Sequence, residues 1–254
     1  MRAVVLTSNK PRHTYFAETV AREFDVKLVI REKKGAYYSD AIAEDPLIAE
    51  HFDRLAKSEE AYFGKARWPN ATTIDCDKSA VNELEHALMA IDARPDVLFL
   101  FGTTILGTEW LVPFAGRIIN LHLGLSPFYR GSATLFWPIA QGELECVGAT
   151  IHLAERKVDA GPILARVKPK LAVGDSYYDI GNKTIKRAID ELPKVARGYL
   201  SGKIRPVVQD LTGGVVYRKR DFNADALRAA LDFVGPGLTT THMDQIANST
   251  RCAC

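Results

Sequence analysis

Long apolar runs are missing from this chain. No stretch of its 254 residues approaches the roughly 20 consecutive apolar residues that cross a bilayer. The apolar run in the opening MRAVVLTSNKPRH is also too short for a signal-peptide core. A cytoplasmic protein with no membrane partner is the expectation. A surplus of one charge is missing as well: Lys and Arg number 33 against 31 Asp and Glu, so no global field exists to hold DNA or tRNA, and no nucleic-acid partner is expected. Cysteine is scarce. Cys76, Cys146, Cys252 and Cys254 form no C-x-x-C pair. The closing CAC could bind metal or oxidise, but with no partner ligands nearby it reads as a frayed tail with reduced thiols, and no metal is expected. Internal repeats and low-complexity segments are absent too.

What is present is an ordinary globular composition. Apolar residues make up 47% and charged residues 25%, which excludes a disordered or fibrous chain and leaves one main domain. RAVVLTS reads as a buried strand, followed by Pro11 and a helical stretch HTYFAETVAREF. VKLVIRE is a second strand. Residues 44 to 66 carry Leu47, Ile48, Phe52, Leu55, Tyr62 and Phe63 at helical spacing. ATTIDC is a short third strand, SAVNELEHALMAID a helix opening at its serine, and DVLFLFG a fully apolar central strand. Strands alternating with helices predict an α/β fold with a doubly wound, mostly parallel sheet. Ligands then bind beyond the strand ends, at the turns after Thr7, Phe101 and His122. Farther on, VGATIHLA and PILARVKPKL form a strand pair, and a helix containing Pro193 runs from about Ser176 to Gly202. Residues 1–205 are read as the main domain and 206–254 as an extension with a hairpin or extended strand in DLTGGVVYRKRDF and a helix ADALRAALDF. The apolar residues of that helix, Leu227, Leu231, Phe233 and Val234, could join a homodimer or cover the core of one subunit.

The segment IINLHLGLSPFYRG, from Ile118 to Gly131, carries polar groups on a buried strand. Residues two apart on a strand share a face, so Asn120 and His122 project together while Ile119 and Leu121 enter the apolar layer. A buried amide and imidazole must either find partners or lie accessible at the strand end. The turn GLSPFYRG leads into SATLFWPIAQG, read as a helix whose N-terminus lies near the pair. Downstream, KVDAGPI places Asp159 in a tight loop. Amide, imidazole and carboxylate form an acid/base set with no nucleophile among them.

In order and spacing, Asn120 with His122, GLSP, GATIH (148–152) and DAGP (159–162) match a pattern of N-x-H, a Ser-Leu-Leu-Pro-like turn, G-x-T-x-H and D-x-G-P. The chain thereby resembles the folate-dependent formyltransferases, loosely from residue 1 to about 205. It departs from their pattern at Gly124 and at Leu125–Ser126, within the turn. The resemblance implies a Rossmann-like fold and transfer of a formyl group from 10-formyltetrahydrofolate to an amine, with Asn120, His122 and Asp159 as the catalytic trio. It implies a pterin pocket at Leu100, Phe101, Gly102, Val158 and Asp159. His152 is read as a supporting or packing residue.

The resemblance also bears on the acceptor. Glycinamide ribonucleotide transformylases carry a Gly-rich phosphate loop after the first strand, where this chain reads TSNKPRHTY with no glycine. Methionyl-tRNA formyltransferases add a basic C-terminal domain larger than residues 206–254. Sugar N-formyltransferases are closest in plan, so the expected acceptor is a nucleotide-linked amino sugar for surface polysaccharides. Lys10, Arg12 and His13, with Arg218, Lys219 and Arg220, are candidates for its diphosphate, and Arg130 for a substrate or turn contact. Formylation of a free amine, hydrolysis of the folate to formate, and a non-catalytic folate-binding module stay open as alternatives.

Overall fold

In the computed structural model, residues 1–33, 45–249 and 252 are described. The first strand, β1 (Arg2–Ser8), is buried on both faces after its first residue, which is why its sequence is a continuous apolar run rather than an alternation. Helix α1 (Pro11–Ala21) starts with proline at its first position, where the missing N–H costs nothing. After β2 (Asp25–Glu32), helix α2 (Pro46–Phe63) is capped by Asp45, whose side chain accepts from the Leu47 N–H. Glu44, where the helical reading began, lies outside the described residues.

Strand β3 (Thr72–Cys76), helix α3 (Leu84–Asp92) and β4 (Val97–Leu100) complete the first half. The serine-capped start expected for α3 does not form. Ser79 instead adopts a left-handed backbone, φ 71°, because its N–H donates to the buried Glu32 carboxylate, and only a single 3-10 turn precedes Leu84. A tertiary hydrogen bond here overrides a local cap.

A short helix α4 (Thr108–Leu111) leads to β5 (Ile118–His122), then β6 (Tyr129–Gly131), the one-turn helix α5 (Trp137–Ala140), β7 (Ala149–Leu153), β8 (Ile163–Val167) and the long α6 (Tyr177–Leu200). Ser176 and Asp179 form a reciprocal capping box at the start of α6. The seven-stranded sheet has the order β3-β2-β1-β4-β5-β7-β8, parallel through β5 and antiparallel at β7 and β8. Connections leave β1 in opposite directions, toward β2 and toward β4. The crevice at such a switch point is where doubly wound sheets bind ligands.

Of the two forms read for the start of the extension, the extended strand is the one found. Strand β9 (Val215–Tyr217) forms no hairpin but pairs in parallel with β6. Helix α7 (Ala224–Val234) buries Leu227, Ala230 and Val234, with Leu231 and Phe233 packed beside them, in a cluster with Phe136, Trp137 and Ile139. The apolar stripe thus covers the chain's own core. Helix α8 (Thr240–Asn248) follows, and beyond it Cys252 is not frayed but buried and disulfide-bonded to Cys146, 106 residues away. The expectation of reduced thiols is corrected for this pair, since no local pattern marks a bridge of that span. Cys76 is a buried free thiol, and Cys254 lies outside the described residues.

Candidate active site

Strand β5 sends Ile119 and Leu121 into the core and turns Asn120 and His122 to the other face, at the C-terminal edge of the sheet. Antiparallel pairing sets His152 of β7 opposite Asn120. The His152 Nδ1–H donates to the Leu153 carbonyl at 2.8 Å, so Nε2 is an acceptor and receives the Asn120 amide N–H at 3.0 Å. His152 therefore orients Asn120, the supporting part expected of it, and also lines the cleft.

His122 is 7% exposed. Its Nε2 lies 2.9 Å from the Tyr129 carbonyl, which can only accept, so Nε2 carries a proton. Its Nδ1 faces Asp159 Oδ1 at 3.3 Å. Asp159 Oδ2 accepts the Gly131 N–H at 3.0 Å, and His152 Nε2 lies 3.7 Å from Oδ1. One short strand thus serves both groups: the carbonyl of Tyr129 takes His122, and the amide of Gly131 takes Asp159.

Burial pushes the Asp159 carboxyl up, but the neighbouring His122 and His152 and the Gly131 N–H outweigh it and hold the group down at about 2. Burial lowers His122 below the ordinary imidazole value, against the opposing pull of Asp159 and Tyr129. His122 Nδ1 and Asp159 Oδ1, 3.3 Å apart, are placed to share a proton.

The trio lines a single cleft of about 700 Å³. Leu100, Phe101, Gly102, Leu106 and Val158 form part of its wall. Gly102 is required there, because a Cβ would meet the His13 ring at 2.4 Å and its φ is +76°. Another part is aromatic: His51 packs against Phe52, Tyr177, Tyr178 and Phe222, and Phe136 packs on Phe222. Burial drives His51 down to about 4, so it is neutral at physiological pH. The sequence reading missed this group, although His51 sits inside the apolar stripe of α2, a position that could have flagged it.

The cationic candidates separate. Arg12 lines the cleft, its guanidinium bonded to Glu59 at 2.9 Å. Lys10 is exposed and does not form part of the wall. Arg130 also lies outside the wall. It is 4% exposed, with Nε and Nη1 buried and unpartnered, because on β6 it alternates away from Tyr129 and Gly131. Arg218 and Arg220 are exposed in the turn after β9. The helix N-terminus expected near the trio is likewise corrected. SATLFWPIAQG contributes only the single turn of α5, as its first residues are spent on the turn closed by Thr134 on the Leu123 carbonyl.

The chain is similar to several known proteins. The family model described as formyl transferase matches residues 2–196. A methionyl-tRNA formyltransferase of Synechococcus sp. (strain JA-3-3Ab) is 30% identical over 151 residues, covering 58% of this chain and 46% of that protein. The chain thus spans less than half the length of that relative. Among solved structures, a sugar N-formyltransferase from Shewanella sp. superposes with a TM-score of 0.56 at 17% identity, covering 93% of this chain and 87% of that one. The formyltransferase PseJ from Anoxybacillus kamchatkensis, in complex with UDP-4,6-dideoxy-4-formamido-L-AltNAc and tetrahydrofolate, gives 0.52 at 16%, covering 87% of each.

Proposed function

The chain belongs to the formyl transferase family, and from that premise we propose that it moves a formyl group from 10-formyltetrahydrofolate to the amino group of a nucleotide-linked amino sugar. The observation that carries the reading is the convergence of Asn120 and His122, from one strand, and Asp159, from a distant loop, on one cleft of about 700 Å³.

The folate supplies an electrophilic formyl carbon. The cleft wall at Leu100, Leu106 and Val158 is apolar, as a flat heteroaromatic ring requires, and it continues through the strand end at Phe101 and Gly102. Asn120 donates an N–H to the negative charge that develops on the formyl oxygen. The proton lost by the attacking amine passes to the His122–Asp159 pair, whose facing atoms lie 3.3 Å apart. As the old C–N bond breaks, that proton is delivered to the departing nitrogen. His152 keeps the Asn120 amide turned for this task.

For the acceptor, the aromatic wall around His51 and Tyr178 offers stacking faces for a nucleobase. Arg12 stands in the same cleft for the diphosphate, whereas Lys10 and Arg130 lie outside its wall and drop out of that part. The relative formylates methionyl-tRNA by its name, but a net charge of +2 gives this chain no global field to hold a polyanion. The shared fold with the sugar N-formyltransferase runs over 93% of the chain.

The test is direct. Purified protein, 10-formyltetrahydrofolate and a panel of nucleotide-linked amino sugars are incubated and read by mass spectrometry; one member gains a single formyl group. Formylation of free amines alone, insensitive to nucleoside diphosphates, or formate release without any acceptor, would overturn the acceptor class.

A further inference from the structure

Gln209 comes from the extension, 50 residues beyond Asp159. It is 9% exposed, and its Nε2 donates to two carbonyls, Asp159 O at 3.1 Å and Gly161 O at 2.6 Å. Both partners only accept, so the amide can face them in one orientation alone, and its Oε1 is left buried without a partner. Keeping an orphaned buried oxygen is unfavourable. An apolar side chain of equal size would avoid it, but would strand the two carbonyls instead.

The loop so held is one that needs holding. Asp159 has φ +49°, a left-handed backbone rare for a residue other than glycine, and Gly161 lies where a Cβ would meet the Leu153 carbonyl at 1.9 Å. The rest of the segment anchors Gln209. Val207 bridges to Ile163 just past the loop, and β9 lies along β6, whose Gly131 amide takes the other oxygen of Asp159. Tyr217 of β9 stacks on Tyr129 and Trp137 with nearly parallel rings, 7° and 12°.

We infer that Gln209 is a positioning residue, which fixes the Asp159 loop so that the carboxylate meets His122. The inference rests on the reading of the His122–Asp159 pair as the proton acceptor, and it makes residues 207–217 part of the active site rather than an appendage.

Gln209→Met in the full chain keeps the volume and removes both donors. Two readouts decide. The first needs no acceptor: the NMR titration midpoint of the His122 imidazole falls in the variant, as the carboxylate loses its alignment, while that of His51 stays. The second uses the formyl acceptor: kcat falls about 10- to 100-fold, the scale of a small misplacement of a reacting group, while both KM values stay within about threefold. Gln209→Glu, of the same shape, sets an acceptor against two carbonyls and gives the larger loss. It also serves if the methionine variant does not fold. Val173→Ala, at a 59% exposed position outside this segment, changes neither readout. An unmoved His122 midpoint, with kcat lost only in proportion to the unfolded fraction, would overturn the assignment. Should the wild type formylate no acceptor, the proposed activity fails while the His122 midpoint still decides the positioning.

Discussion

In the proposed reaction, His122 and Asp159 take a proton from the incoming amine. His122→Asn and Asp159→Asn each remove one half of that acceptor at nearly constant volume. Both are expected to lower kcat by about 10² to 10⁴, with folate affinity by equilibrium titration largely kept. Near wild-type turnover in either variant would end their assigned part. His51 makes a separate claim, about stability. Its pKa is lowered to about 4 in the fold against 6.5 when exposed. The unfolded chain therefore binds more protons between those values, and stability rises with pH across the window. The contribution is fully present above pH 6.5 and is lost as pH falls toward 4, by about 3 kcal/mol. A melting series from pH 7 to 4 should show the decline, and His51→Phe, which fits the aromatic setting, should flatten it.

Strands β6 and β9 carry a fit that a single methyl group would break. Gly131 has φ +92°, and a Cβ there would stand 2.2 Å from the Tyr217 carbonyl, main chain that cannot rotate away. Gly131→Ala is expected to cost about 1 to 3 kcal/mol in urea denaturation. It should also lower activity, because the Gly131 N–H is a hydrogen-bond donor to Asp159. An unchanged midpoint would show the two strands are more loosely paired than described. Helices such as α6 owe their limits to local chemistry, the Ser176 capping box, and they were placed correctly from the sequence alone. Helix α3 was not, because the Ser79 bond to Glu32 belongs to no local pattern.

At the scale of the molecule, three buried clusters among the described residues hold the fold, one on each face of the large sheet and one joining the extension to α2 and α5. The Cys146–Cys252 disulfide closes a span of 106 residues over the third cluster. Cys146→Ser should lower stability by about 2 to 5 kcal/mol in oxidising buffer and make little difference with reductant present. Equal stability of the two proteins in both buffers would show that the bridge contributes nothing.

Residue order alone determined the strand and helix succession, the mostly parallel sheet, the pairing of Asn120 with His122 on one face, and the family likeness carried by GATIH and DAGP. These follow from periodicity and turn chemistry, which act over a few neighbouring residues. Only the tertiary structure decided that Gln209 reaches the Asp159 loop, that β9 joins β6 in parallel, that His51 lies in an aromatic wall, that Lys10 and Arg130 stay out of the cleft, and that Cys252 finds Cys146. Each of these contacts joins residues distant in sequence, or depends on which way a side chain faces once the layers have packed, and neither is written in any local pattern.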